Sequence, residues 1–170
     1  VHIKPTLDIV PLQICHLEEL ARVLLCPEVY EHIESPLPST DEFVLGLRIG
    51  ISGPPADAGD EKWLNFLVRD SSGQMIGRLE ATIHHGIAEV AFLFGFQFWG
   101  QGYGYAGVQW LHQKLIGRYG IADLWATTTK QNFRSQRLLE RCGYERTQLP
   151  AVPIYSYDQG DLVFRKIHAT

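Results

Sequence analysis

The chain of 170 residues carries 15 Lys and Arg against 19 Asp and Glu, a formal net charge of −4, and 45% of its residues are hydrophobic. That balance suits a globular domain with its own core and excludes both a disordered chain and the basic footprint of a nucleic-acid binder. No apolar run approaches the roughly 20 residues needed to cross a bilayer and no signal-peptide pattern opens the chain, so the expectation is one cytoplasmic domain over residues 1–170 with no membrane partner.

In chain order, Thr6 to Val10 alternates and predicts a first strand. Ile14, Leu17, Leu20, Ala21, Leu24 and Leu25 recur at helical spacing and predict an amphipathic helix that stops before Pro27. Ser39-Thr40-Asp41-Glu42 has the form of a capping box, and Phe43, Leu47 and Ile51 follow on one face, so a second helix covers about Thr40 to Ile51. The Gly, Pro and Asp of Ser52 to Asp60 make a surface loop. Trp63 to Arg69 reads as a strand, with Asp70-Ser71-Ser72-Gly73 as its turn. The strand after it sets Met75, Gly77, Leu79, Ala81 and Ile83 on one face and Ile76, Arg78, Glu80, Thr82 and His84 on the other. His85-Gly86 then closes a hairpin into Ile87 to Phe94, completing an antiparallel meander.

Beyond the meander lies Trp99-Gly100-Gln101-Gly102-Tyr103-Gly104-Tyr105-Ala106, which opens a helix from about Tyr103 to Tyr119. Its glycines leave main-chain N–H groups uncovered at a helix N-terminus, where unpaired donors and the positive end of the peptide dipole favour phosphate oxygens. The last part of the chain predicts a strand at Leu124 to Thr128, a helix from near Asn132 to Cys142 with Gly143 as its stop, a strand from Tyr144, a loop from Leu149 to Gly160 and a final strand from Asp161 to Ile167. Cys15, Cys26 and Cys142 form no C-x-x-C pair and are expected as reduced, buried thiols, the first two on one helix. The seven histidines show no metal-ligand spacing, so no metal is expected.

A pyrophosphate-bearing cofactor can be a dinucleotide or a coenzyme A thioester. Gly102, Gly104 and Gly107 match G-x-G-x-x-G, and Asp123 follows at about the 20-residue distance a dinucleotide site requires. Asp123 nevertheless precedes its strand, at the wrong end to meet a ribose, and the strands before the turn look antiparallel.

Gln101-x-x-Gly104-x-Ala106 resembles the Q/R-x-x-G-x-G/A acetyl-CoA pyrophosphate loop of the GNAT superfamily of N-acetyltransferases. The later run Asn132-Phe133-Arg134-Ser135-Gln136-Arg137-Leu138-Leu139-Glu140-Arg141-Cys142-Gly143-Tyr144 is similar to the N-x-x-S-x-x-L-x-E-K-x-G-F segment of the branch that includes ribosomal-protein N-terminal acetyltransferases. The resemblance spans nearly the whole chain. It implies an α+β fold, an α/β/α sandwich whose mixed, mostly antiparallel seven-stranded sheet is flanked by about four helices and splayed between its fourth and fifth strands. It also implies acetyl-CoA as co-substrate and direct transfer of the acetyl group to a primary amine of a protein N-terminus or a small molecule, by a monomer or homodimer. A non-catalytic GNAT-like module that holds acyl-CoA is the alternative.

Residue by residue, the resemblance assigns the cofactor diphosphate to Gln101, Gly102, Tyr103, Gly104, Tyr105 and Ala106, its pantetheine to the main chain of Leu93 and Phe94, and a further hydrogen bond to Asn132. One N–H of Leu93 or Phe94 would also face the oxyanion. Glu89 matches the fourth-strand glutamate that serves as general base in some members. As the one charge in an apolar strand it is expected to have a pKa raised by desolvation, with Arg78 or Lys62 as partners if it is structural. His84 and His85 are the fallback bases and otherwise surface residues of the hairpin. Many relatives place a thiolate-protonating tyrosine where this chain has Leu139, which leaves Ser135 as the acid implied by the ribosomal branch. Arg134 and Arg137 are either solvated or in reach of phosphate. The acceptor is expected between the first two helices and the last loop. Glu28, Glu31, Glu34, Tyr30 and His32 there are either a recognition patch or a solvated face, and Trp99, Tyr155 and Tyr157 are candidate walls.

Overall fold

The computed structural model describes residues 4–33 and 36–169. Period-two alternation produces the central meander of β2 (Lys62–Arg69), β3 (Met75–His84) and β4 (Ile87–Phe94). β1 (Asp8–Pro11) adds to its outer edge, while β5 (Asp123–Thr128), β7 (Leu162–Ile167) and β6 (Glu145–Thr147) continue it beyond β4 in the order β1-β2-β3-β4-β5-β7-β6. All neighbours pair antiparallel except β4 and β5, which run parallel. That pair meets only at Ala88 with Leu124 and Glu89 with Trp125, so the two strands part over the rest of β4. This is the splay expected between the fourth and fifth strands.

Helices cover both faces. On one side α1 (Leu17–Leu24) and α3 (Thr40–Ser52) bury Leu17, Leu20, Leu24, Phe43 and Leu47 against Leu67 and Met75. Each such side chain contributes about 1.5–3 kcal/mol by leaving water. On the other, α4 (Tyr103–Tyr119) and α5 (Phe133–Arg141) pack Val108, Leu111, Leu115 and Leu139 on Leu79, Val90, Ala126 and Phe164. A one-turn helix, α2 (Pro27–Tyr30), lies between α1 and α3 and makes five α-helices among the described residues, against the expected four or so. The Ser39 box caps α3 as expected: the Ser39 hydroxyl accepts from Glu42 N, and Ser39 N donates to Glu42 Oε2.

Several local expectations are corrected. The first helix divides into a 3-10 turn over Ile14–His16 and α1, so Cys15 and Cys26 do not share a helix. Of the three free thiols only Cys142 is buried, and burial pushes it up to about 11. A bulge between Val68 and Arg69 inserts Ile76 opposite β2 and reverses the facing at the start of β3. Met75 therefore joins the α1–α3 side and Ile76 the α4–α5 side, opposite to strict alternation.

Candidate active site

The parting of β4 from β5 opens a cleft of about 1310 Å³ lined by both strands, the glycine turn and the first turns of α4 and α5. At the glycine-turn end, Gly102 is the N-cap of α4 at φ 83°, a left-handed conformation that glycine adopts without steric cost. No side chain caps this helix, so its first-turn amides are open to solvent or a ligand. The Gln101 side chain does not enter the cradle; its Nε2 donates to Gln97 O at 3.0 Å and braces the turn. Gly104 is needed for packing, because a Cβ there would meet Leu138 Cδ2 of α5 at 2.9 Å. Arg134 lies over the Trp99 ring at 3.1 Å and ties the start of α5 to the same turn. Tyr103, Tyr105 and Ala106 follow in the opening turns of α4, with Ala106 buried. A row of main-chain donors beside Arg134, Arg137 and Arg141 fits the anionic end of coenzyme A.

Along β4 the main chain decides which groups are free. Gly95 N donates to Ile76 O on β3, and residues two apart turn the same way, so Leu93 also addresses β3, with its carbonyl close against Gly77. Phe92 and Phe94 instead turn their amides toward the parting, where the Phe94 carbonyl accepts from Trp99 Nε1 at 2.9 Å. The main-chain groups open to the parting are therefore those of Phe92 and Phe94, and not those of Leu93. Leu93 contributes only its side chain, to the α1–α3 side.

At the other end of the cleft Glu89 is 5% exposed and accepts four hydrogen bonds. They come from His84 Nε2 (2.5 Å), Tyr155 N (2.8 Å), Ser156 N (2.9 Å) and Ser156 Oγ (2.6 Å). Burial alone would push its carboxyl up, but the two Ser156 bonds, the Tyr155 amide and His84 outweigh it and hold the group below its ordinary value. The expected upward shift is overturned, and so are the expected partners, since Arg78 pairs with Glu80 instead. His84 is likewise no surface residue: it is 4% exposed, stacked on Tyr155 with ring centroids 3.9 Å apart. His85 remains exposed, its Nδ1 2.8 Å from that of His84.

Ser135 lines the cleft from the first turn of α5, where its amide donates to Asn132 Oδ1 at 3.2 Å. Asn132 is thus the N-cap of α5 as well as a cleft residue. Leu139 is buried in the core. Tyr30, His32 and Trp99 border the cleft, Glu28 and Glu31 are exposed, and Glu34 lies outside the described residues. Tyr157 packs on Ile87, Trp125 and Val163 rather than walling a pocket. Asp123, the residue a dinucleotide would need, is held by Arg165 through bonds of 2.8 Å. Pattern reading missed Ser156 and Thr127, which sit on a loop and a strand end without any motif.

The sequence profile of the acetyltransferase (GNAT) domain matches residues 6–145. The chain belongs to this family. Among solved structures, a GNAT-family acetyltransferase from Bacillus anthracis superposes with a TM-score of 0.76 at 16% identity, covering 97% of both chains. RimL, an alpha-N-protein acetyltransferase of a ribosomal protein solved with coenzyme A, gives 0.75 at 16% identity over 95% of this chain and 94% of its own. Spermidine N-acetyltransferase from Vibrio cholerae, solved with CoA and spermine, gives 0.70 at 18% identity over 94% and 92%. At such identities the superpositions establish the GNAT fold. No curated protein matches the chain. Among the described residues no helix is long and apolar enough to cross a membrane, and no cluster of His, Cys, Asp or Glu is placed to hold a metal.

Proposed function

We propose that this GNAT protein is an acetyl-CoA-dependent N-acetyltransferase that moves the acetyl group directly to a primary amine of a protein N-terminus or a small molecule. The observation that carries the reading is one continuous cleft running from an uncapped helix N-terminus to the point where β4 leaves β5. Acetyl-CoA would supply the activated acyl thioester. The amides of Gln101 to Ala106 hold its diphosphate, with Asn132 and the α5 arginines beside them, and the main chain of Phe92 and Phe94 lies along its pantetheine arm. An N–H of Phe94 directed into the parting is placed to stabilise a developing oxyanion, a contribution worth about 2.7–4 kcal/mol per donor in other enzymes. Ser135, on the cleft wall, is the group assigned to protonate the leaving thiolate. Glu89 is the fixed negative charge behind the acceptor end, where Ser156 borders the cleft and Glu89 does not.

The two relatives solved with coenzyme A, one acting on a ribosomal protein and one on spermidine, support both acceptor classes named here. No feature of the described cleft favours a non-catalytic holder of acyl-CoA. Isothermal titration with acetyl-CoA tests the first half of the reading. Binding is expected for the native chain and a loss of about tenfold or more for Gly104→Trp, whose side chain must displace Leu138; equal affinity would remove the basis of the assignment. Release of free thiol with a panel of N-terminal peptides, polyamines and aminoglycosides tests the second half.

A further inference from the structure

Four donors converge on Glu89, and one of them has a second side to offer. The Ser156 hydroxyl gives its proton to Glu89 Oε1 at 2.6 Å, while the Ser156 amide holds the same oxygen at 2.9 Å. From β5, the Thr127 hydroxyl lies 2.9 Å from both the Ser156 carbonyl and Ser156 Oγ. The site is therefore built from three elements: β4 contributes the carboxylate, β5 the threonine, and the loop before β7 the serine. It lies at the base of the parting, because Glu89 and Trp125 are the last paired residues of β4 and β5, and Thr127 is two positions further on.

A serine oxygen has one proton and two lone pairs. The proton is committed to a carboxylate that accepts only, and Thr127 occupies at most one lone pair. What remains is free on an exposed residue that lines the cleft. Such an oxygen meets an incoming group as an acceptor, and its bond to an ionised carboxylate strengthens it in that role. A neutral primary amine is the complementary partner: it has N–H to donate and keeps its lone pair for attack.

We infer that Ser156 Oγ receives an N–H of the acceptor amine and orients its nitrogen lone pair along the cleft, with Glu89 and Thr127 fixing the serine. The inference rests on the acetyltransferase reading above. It makes Ser156 the orienting residue of the acceptor end and Glu89 a positioning residue behind it.

The test compares native protein with Ser156→Ala, Ser156→Cys and Ser156→Thr, using the best amine of the panel. The readouts are kcat/KM for the amine, acetyl-CoA affinity by titration, slow acetyl-CoA hydrolysis without amine, and melting temperature. Cysteine keeps the side chain's shape but is a weak acceptor, so it serves even if alanine disturbs the loop. Alanine and cysteine are expected to lower kcat/KM for the amine by about tenfold to a hundredfold. Acetyl-CoA affinity and background hydrolysis should stay within about twofold, and Ser156→Thr should recover most of the loss. The inference is overturned if alanine and cysteine stay within about threefold of native kcat/KM, if acetyl-CoA affinity falls in parallel, or if threonine is as impaired as alanine. If the native chain itself binds no acetyl-CoA, the acetyltransferase reading falls and takes this assignment with it; intact binding with an unaffected alanine variant removes the Ser156 assignment alone.

Discussion

His84 Nε2 lies 2.5 Å from Glu89 Oε2, with the two side chains 2% and 5% exposed. A carboxylate can only accept, so Nε2 carries the proton, and Nδ1 is left to pair with His85. The hairpin thereby helps to pin the loop before β7 through a shared carboxylate. Replacing His84 by Leu removes one of the four donors and is expected to cost about 1.5–3 kcal/mol, as for other hydrogen bonds to charged groups. The check is urea denaturation together with amide exchange at Tyr155 and Ser156, which should speed up selectively.

The same carboxylate sets a pH dependence. Its folded value is lowered from 4.5, so its contribution to stability is present above that pH and is lost as pH falls through the lower folded value. Glu89→Gln should flatten the acid limb of stability below about pH 4.5. Between pH 6 and 9, roughly the physiological range, kcat/KM should rise with the deprotonation of the acceptor amine and show no limb from Glu89. A rising limb that stays fixed when acceptors of different basicity are compared, and disappears in Glu89→Gln, would return Glu89 to a direct base role.

His112 poses the reverse question in the core. It is 3% exposed, its Nε2 is 2.8 Å from the Tyr144 hydroxyl, and its Nδ1 has no partner among the described residues. Burial, helped by Lys166 and His168, lowers it from 6.5 to about 4. The unfolded chain therefore binds the proton first, and stability should fall by about 3 kcal/mol as pH drops from 6.5 toward 4. His112→Gln, measured by denaturation at several pH values, should lose that slope while keeping a partner for Tyr144.

Gly102 carries the left-handed N-cap of α4 at φ 83°, with no atom closer than Pro5 Cδ at 3.7 Å to an added Cβ. Space is therefore no obstacle to Gly102→Ala, and the cost is conformational, about 1–2 kcal/mol. Part of it should appear as weaker acetyl-CoA binding, because relaxing the strain turns the first-turn amides away from the diphosphate. Gly117, mid-helix with an open surround, is the control: alanine there should leave binding unchanged.

Arg134 over Trp99 joins α5 to the glycine turn across the cleft. Arg134→Ala is expected to cost about 0.5–1 kcal/mol in stability and to weaken acetyl-CoA binding severalfold, with Arg134→Lys intermediate. Titration at two salt concentrations separates the loss of charge, which salt screens, from the loss of the stack, which it does not.

Local patterns in this sequence carried most of the architecture. The β2–β4 alternation, the Ser39 capping box, the glycine turn and Gly143 each depend on neighbours a few residues away, and the structure has strands, helices and stops at those places. The family followed for the same reason, since Gln101 to Ala106 and Asn132 to Tyr144 are contiguous motifs. Tertiary structure alone decided the rest. A single inserted residue at the Val68 bulge reversed the facing of Met75 and Ile76, and the pairing of Gly95 with Ile76 turned the main chain of Leu93 away from the cleft. Two of the three partner residues of Glu89, Tyr155 and Ser156, come from 66 and 67 residues further along the chain, on a loop without periodicity. A carboxylate in an apolar strand reads from sequence as desolvated and raised. Only folding brings Tyr155, Ser156 and His84 around it, and their hydrogen bonds outweigh the burial that pattern alone can see.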